Sequence, residues 1–198
     1  MKPIETIPWF WFGWVVSWLA AAFWSDRTAA RPRFGAEAPY RIVLLFGTSM
    51  LFARQFGAQF AAPLTFPLPA VFGWGLVAVA CLGFAFCWWA RVHLGRLWSG
   101  HVTKKAGHRV VRTGPYALVR HPIYTGVLVA ALATSLLEQN LVAIAGAAVM
   151  TVGFFLKARV EEAFLRSELG ASVYDDYRSR VPMLMPRFTP RPRGSTSA

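Results

Sequence analysis

Gly107-His108-Arg109-Val110-Val111-Arg112-Thr113-Gly114-Pro115-Tyr116-Ala117-Leu118-Val119-Arg120-His121-Pro122-Ile123-Tyr124-Thr125-Gly126 sets a basic, turn-forming segment directly before an apolar run that begins near Ile123. Polar groups at a membrane boundary are costly unless they bind something or face a wet cavity. A second polar cluster, Arg159, Glu161 and Glu162, comes after two apolar runs, 122–137 and 141–156, which are separated only by Glu138-Gln139-Asn140. So brief a polar link predicts an antiparallel helical hairpin. The two ionisable clusters then sit at its open end, as two halves of one site.

Working outward, three further apolar runs, 8–24, 41–62 and 70–90, each approach the ~20 residues that span a bilayer. The expected fold is an all-α integral membrane protein with about five transmembrane helices, the last two forming the hairpin. Composition agrees: 56% of the 198 residues are hydrophobic, with nine Trp and sixteen Phe. That is more apolar surface than a soluble domain of this size hides. Beyond the fifth run, 158–180 reads as an amphipathic cytoplasmic helix, with Phe164, Leu165, Leu169, Tyr174 and Tyr177 on its apolar side. Gly170 is a cap or kink within it, and Val181-Pro182 ends it. The chain divides into three N-terminal spans (1–90), a region holding the hairpin and both clusters (91–187), and a Pro-, Arg- and Ser-rich tail (188–198) expected to be disordered.

The formal net charge is +12. These charges lie between apolar runs instead of along one exposed face, so no nucleic-acid partner is expected and a positive cytoplasmic face on anionic lipid is the simpler reading. The segment 91–121 carries seven Lys/Arg and no acid, whereas 63–69 carries no charge. This alternation puts the N-terminus outside and the C-terminus in the cytoplasm, within the inner or plasma membrane. Lys2 and the run behind it imitate a signal peptide, but Phe23-Trp24-Ser25-Asp26-Arg27 has no small-residue cleavage pattern, so a retained helix is expected. Cys81 and Cys87, six residues apart on one helix, face different ways and form neither a disulfide nor a metal pair. The four histidines lack the Cys or acidic partners of a familiar zinc spacing, so no metal is expected.

Gly114-Pro115-Tyr116 reads as a tight turn, and Pro122 suits the first turn of a helix. Arg120, His121 and nearby free backbone donors then aim at one point, a natural place for a carboxylate. Tyr124 follows His121 on the same helical face, and Gly126 permits close helix approach. Glu161 or Glu162 can accept from an ammonium group, and Arg159 can pair with that acid or reach a substrate anion. A pocket cationic at one end and acidic at the other suits a zwitterionic amino-acid moiety. Each cluster alone has a plainer reading, as headgroup contacts or a solvated helix face. His101 and His108 read singly as loop residues, and Tyr174 and Tyr177 as packing. Arg54 either snorkels or pairs with a neighbouring helix, or it contacts a substrate cavity.

Leu94-Gly95-Arg96-Leu97-Trp98-Ser99, Gly107 to Tyr116, and Arg120-His121-Pro122-Ile123-Tyr124-Thr125-Gly126 resemble the isoprenylcysteine carboxyl methyltransferase family. So do Glu161-Glu162 with Leu165, Leu169-Gly170, Tyr174, Tyr177, Val181-Pro182 and Pro186. The likeness covers about residues 94–187. Its Arg-His-Pro-x-Tyr-x-Gly element is shared with phospholipid methyltransferases and membrane sterol reductases, and gains specificity from the double Glu. The resemblance implies a membrane methyltransferase that uses S-adenosylmethionine on the cytoplasmic side, with 91–187 as its cofactor-binding catalytic region. His108, Tyr116, His121, Tyr124, Glu161 and Glu162 fall on the cofactor-site motif. Arg120 and Arg159 match its arginines as catalytic candidates, with Arg159 set to orient the acceptor carboxylate. The implied partners are membrane lipid and a lipophilic or prenylated acceptor. The rival readings are an NADPH-dependent sterol-type reductase and a non-catalytic membrane scaffold.

Overall fold

The structure, a computed structural model, describes residues 1–24, 28–30, 35–57, 65–69, 71–98, 104–105 and 110–187. Helices dominate: α1 (Pro3–Ala22), α2 (Ala38–Leu51), α3 (Val71–Leu94, running into a 3-10 turn Gly95–Leu97), α4 (Pro115–Leu118), α5 (Pro122–Leu137), α6 (Leu141–Leu169) and α7 (Ala171–Arg180). One small departure from the all-helical expectation is an antiparallel ladder, β1 (Thr28–Ala30) with β2 (Lys104–Lys105), pairing Thr28 with Lys105 and Ala30 with Lys104.

Glycines bring the long helices together in two seams. Where α3 crosses α5, a Cβ on Gly83 would lie 2.5 Å from the Gly126 carbonyl oxygen, and one on Gly126 would lie 2.6 Å from Cys87 Sγ. Where α2 crosses α6, a Cβ on Gly146 would lie 2.5 Å from the Leu51 amide nitrogen. Such small-residue contacts let backbones approach where lipid offers no hydrophobic drive. Both pairs are antiparallel, since Gly73 meets Leu137 while Gly83 meets Gly126, and Leu44 meets Gly153 while Leu51 meets Gly146. α5 packs chiefly on α3 and α6 chiefly on α2, with a narrower α5–α6 face. Against α3 and α5, α1 lays an aromatic ladder: Trp14 stacks on Trp18 and on Phe84, and Trp11 Nε1 donates to Thr134 Oγ1 at 2.9 Å.

Large apolar side chains such as Phe12, Leu45, Leu82 and Phe155 remain exposed on the outer helix faces, as expected of a chain whose outside faces hydrocarbon. Val71–Leu97 and Leu141–Leu169 are long and apolar enough to cross a membrane, while Ala38–Leu51 and Pro122–Leu137 are shorter apolar helices.

Two boundaries differ from the sequence expectation. The second apolar run was expected to be helical to residue 62, yet α2 ends at Leu51 and turns follow to Gly57. There Arg54 Nη1 donates to the Glu138 carbonyl at 3.0 Å and Gln55 Nε2 to Glu138 Oε1 at 2.5 Å. Those bonds draw this segment onto the α5–α6 link. In contrast, α6 continues through residue 156, because Lys157–Leu169 consists mostly of good helix formers. It stops at Gly170, whose φ of 95° breaks the helix and starts α7. Asn140 opens α6 by accepting from the Ala143 amide at 2.8 Å. The tail 188–198 lies outside the described residues.

Candidate active site

The turn before α5 is fixed from below. Gly114 has φ 58°, and a Cβ there would meet the His93 ring at 2.7 Å. His93 Nε2 lies 2.9 Å from Thr113 Oγ1, and its ring stacks over Tyr116 at 6.4 Å. Tyr116 is buried, and its carbonyl accepts from Tyr177 Oη at 2.7 Å. Burial pushes the Tyr116 and Tyr177 hydroxyls well above the usual phenol range, so both stay neutral.

The chain after α7 returns across the start of α5. The Arg120 amide donates to the Pro182 carbonyl at 2.8 Å, the His121 amide to Met183 at 3.1 Å, and Thr125 Oγ1 to Leu184 at 2.7 Å. The backbone donors expected to await an anion here are therefore taken by this segment. The Arg120 guanidinium is equally engaged. Its Nε donates to Glu162 Oε1 at 2.7 Å and Nη2 to Oε2 at 3.2 Å, while Nη1 holds the carbonyls of Val181 at 2.5 Å and Arg178 at 3.1 Å. Arg120 acts as the knot that ties the C-terminal segment to Glu162. Both side chains are almost fully buried, and a buried charge pair holds only when its remaining donors are satisfied.

His121 stands between the two acids, with Nε2 3.0 Å from Glu162 Oε1 and Nδ1 3.8 Å from Glu161 Oε2. Its ring lies parallel to Tyr124 at 5.1 Å and 4°, and Tyr124 Oη donates to Glu161 Oε2 at 2.5 Å. The two clusters flanking the α5–α6 link therefore meet. His121, Tyr124, Glu161 and Glu162 form one contiguous group; Tyr116 contacts His93 and Tyr177 instead, and His108 lies outside the described residues.

Arg159 lies elsewhere. It is exposed on the wall of a polar cavity of about 630 Å³, together with Glu162, Arg166, Ser167, Asp175 and Arg178. Arg166 forks onto Asp175 at 2.8–3.0 Å, and Arg178 Nε reaches to 3.8 Å from Glu162 Oε2. Glu162 is thus shared between the buried group and the cavity.

Two residues that the sequence reading passed over also adjoin the group. Lys157 Nζ sits 5.0 Å from the Tyr124 ring centre and 5.9 Å from that of Tyr40. The spacing of Lys157 four residues before Glu161 places both on one helix face, a signal available in the sequence. Nothing in the sequence pairs Tyr40 with α6. Among the described residues, no group of three or more His, Cys, Asp or Glu gathers for a metal ion.

Residues 76–167 match the model of the isoprenylcysteine carboxyl methyltransferase (ICMT) family. Over those residues, the chain is similar to that family. The match takes in most of α3, all of α5 and α6 as far as Ser167, and stops before Gly170, Tyr174, Tyr177 and Pro186. Among curated relatives, a protein-S-isoprenylcysteine O-methyltransferase of Schizosaccharomyces pombe is 38% identical over 109 residues, 54% of this chain and 46% of that one. Methanethiol S-methyltransferase 2 of Bradyrhizobium diazoefficiens is 42% identical over 80 residues, 39% of this chain and 29% of that one. The cobalt-zinc-cadmium resistance protein CzcN of Cupriavidus metallidurans is 28% identical over 171 residues, 83% of this chain and 68% of that one. The chain thus spans less than half the length of the two methyltransferases.

Proposed function

We propose that this chain is an integral membrane methyltransferase that uses S-adenosylmethionine to methylate the carboxylate of a lipophilic acceptor of the isoprenylcysteine type. The observation that carries the reading is the meeting of His121 and Tyr124 with Glu161 and Glu162, side chains some forty residues apart in sequence, inside the family-matched segment.

The residues suit the donor's chemistry. A cavity of about 630 Å³ lies within the range of small-molecule sites. Its acids, Glu162 and Asp175, can accept from an ammonium group, and its Arg159 and Arg178 can pair with a carboxylate. The parallel His121–Tyr124 stack offers a flat apolar surface beside the carboxylates. Bound there, S-adenosylmethionine would supply an electrophilic methyl group that an already ionised carboxylate accepts without a general base. The chain's contribution is then alignment and exclusion of water. Arg120 holds Glu162 in place, Tyr124 fixes Glu161, and the segment 181–184 closes over the start of α5.

In the same reading, α1, α2, α3, α5 and α6 cross the bilayer, with α5 and α6 as a hairpin. The N-terminus is outside, and the site lies at the cytoplasmic face where the Arg- and Lys-rich segments gather. The test is transfer of a labelled methyl group from S-adenosylmethionine to a lipid extract, with identification of the product. Base-labile label in a lipophilic ester is expected. Label on nitrogen or sulfur would overturn the carboxylate acceptor, and affinity for NADPH without affinity for S-adenosylhomocysteine would overturn methyl transfer itself.

A further inference from the structure

We infer that the strap after α7, Val181 to Pro186, dips back into the inner leaflet and lies against the acyl chains of membrane lipid; the inference rests on the reading above in which α5 crosses the bilayer from a cytoplasmic start. The strap reads Val181-Pro182-Met183-Leu184-Met185-Pro186, an unbroken apolar run between Arg180 and Arg187. It follows directly on α7, which carries Asp175, Asp176, Arg178 and Arg180. So abrupt a change of character marks a chain passing from water into an apolar medium, and that medium is not the protein interior. Met185 is 82% exposed, and the residues from Val181 to Leu184 are only half-buried.

The direction of the strap is fixed by what its carbonyls meet. Pro182 accepts from the Arg120 amide at 2.8 Å, Met183 from the His121 amide at 3.1 Å, and Leu184 from Thr125 Oγ1 at 2.7 Å. Each successive carbonyl meets a group further into α5, and Thr125 lies one turn, about 6 Å, beyond His121. The strap therefore runs from the charged start of α5 toward its uncharged part, where Val129 and Leu132 are exposed on the outer face. Met185 follows on the same course.

The backbone is suited to that medium. Irregular chain at membrane depth is tolerated only where protein satisfies its polar groups. Pro182 and Pro186 have no N–H to satisfy, the Val181 amide is spent on the Tyr177 carbonyl at 3.1 Å, and three successive carbonyls are held by α5. At the two ends stand exposed arginines, Arg180 being paired with Asp176 at 2.7 Å. Long cationic side chains at both edges of an apolar stretch keep their heads at the phosphate level while the stretch between them enters the hydrocarbon. The flexible methionine side chains adapt to disordered acyl chains. The cover over His121 is thereby held from the lipid side, and a lipophilic molecule arriving from the leaflet meets apolar side chains first.

The experiment places single cysteines at Met185, Val173 and Leu132 in a Cys81→Ala background, Cys87 being buried. Each carries the same environment-sensitive fluorophore on the full chain, in nanodiscs of phosphatidylcholine and phosphatidylglycerol. Quenching by aqueous iodide is compared with quenching by lipids bearing a doxyl group on the acyl chain. The Met185→Cys label should emit at shorter wavelength than the label on Val173→Cys, lose most of its iodide quenching, and be quenched by doxyl lipid as the label on Leu132→Cys is. Pro186→Cys repeats the reading from the neighbouring position, so that the failure of one variant to fold does not decide the outcome. Iodide quenching of the strap labels as strong as at Val173 would overturn the inference. Protection from both quenchers, the sign of a covering protein, would overturn it as well. Iodide access at Leu132 would overturn the bilayer-crossing reading of α5 instead.

Discussion

The two ends of the α5–α6 pair both carry buried polar groups, and they are built differently. At the start of α5, Glu162 faces cationic or protonatable partners, Arg120 and His121 with Arg178 at 3.8 Å, and opens onto a polar cavity. At the other end of this 16-residue helix, about 24 Å away, Glu138 is fully buried and its Oε1 is held by the neutral amide of Gln55. Its Oε2 has no hydrogen-bond partner. Arg54 reaches only the Glu138 backbone carbonyl. The first arrangement favours the ionised form of Glu162 and leaves it on the wall of the cavity. The second fastens the end of α2 to the α5–α6 link, and burial pushes its carboxyl upward against the lowering effect of Gln55. Polar residues at a helix end therefore take their meaning from the charge of their partners and from adjoining space, not from residue type.

The largest way to break this contrast is Glu162→Ala. It leaves Arg120 and His121 buried without their common anion, at a cost of about 3–5 kcal/mol, read as a fall in Tm together with loss of S-adenosylhomocysteine binding. Gly83→Ala disturbs the α3–α5 seam that runs between the ends, because its Cβ would lie 2.5 Å from the Gly126 carbonyl oxygen. Overpacking of that kind costs about 1–3 kcal/mol, and denaturation should register it although no polar group has changed. Tyr124→Phe keeps the stack on His121 but removes the bond to Glu161, so donor affinity should fall by about tenfold with little change in Tm.

Glu138→Gln acts in the opposite sense. A carboxyl whose folded-state value is raised favours the fold while protonated and loses that contribution as pH climbs through the folded value. The variant should therefore lose less Tm than wild type as pH rises from the ordinary carboxylate range, be the more stable of the two once the wild-type carboxyl has ionised, and bind S-adenosylhomocysteine as wild type does. The smallest effect is expected at half-buried Asp176. Its hydrogen bond from Arg112 holds the carboxyl below the usual range, so its contribution is present near neutrality and lost on acidification. Asp176→Asn should slightly lessen the acid sensitivity of Tm.

Much of the site end was legible because local rules govern it. Pro122 at a helix start, the Gly114-Pro115 turn and the double Glu each announce their own geometry, and the short link 138–140 brings residues 121 and 162 back together. The continuity of α6 past Leu156 was less legible, since its hydropathy falls there while its helix propensity does not. What no local pattern encodes is the role of residues engaged across the fold. Arg120 was read as reaching for a ligand, but its donors are spent on Glu162 and on the carbonyls of Arg178 and Val181, a segment some sixty residues later. Tyr40 and the Arg54–Glu138 contact join α2 to α5 and α6 in the same nonlocal way. Their partners are set by the glycine seams, and a single sequence does not pair glycines.

The central claim is that Glu161 and Glu162, brought to His121 by the return of α6, grip one small zwitterionic donor. Calorimetric titration of S-adenosylhomocysteine into wild type, Glu161→Gln and Glu138→Gln tests it most directly. The account predicts saturable binding to wild type and to Glu138→Gln with equal affinity, and binding at least about tenfold weaker to Glu161→Gln. Equal affinity in all three proteins, or no binding to any, would contradict it.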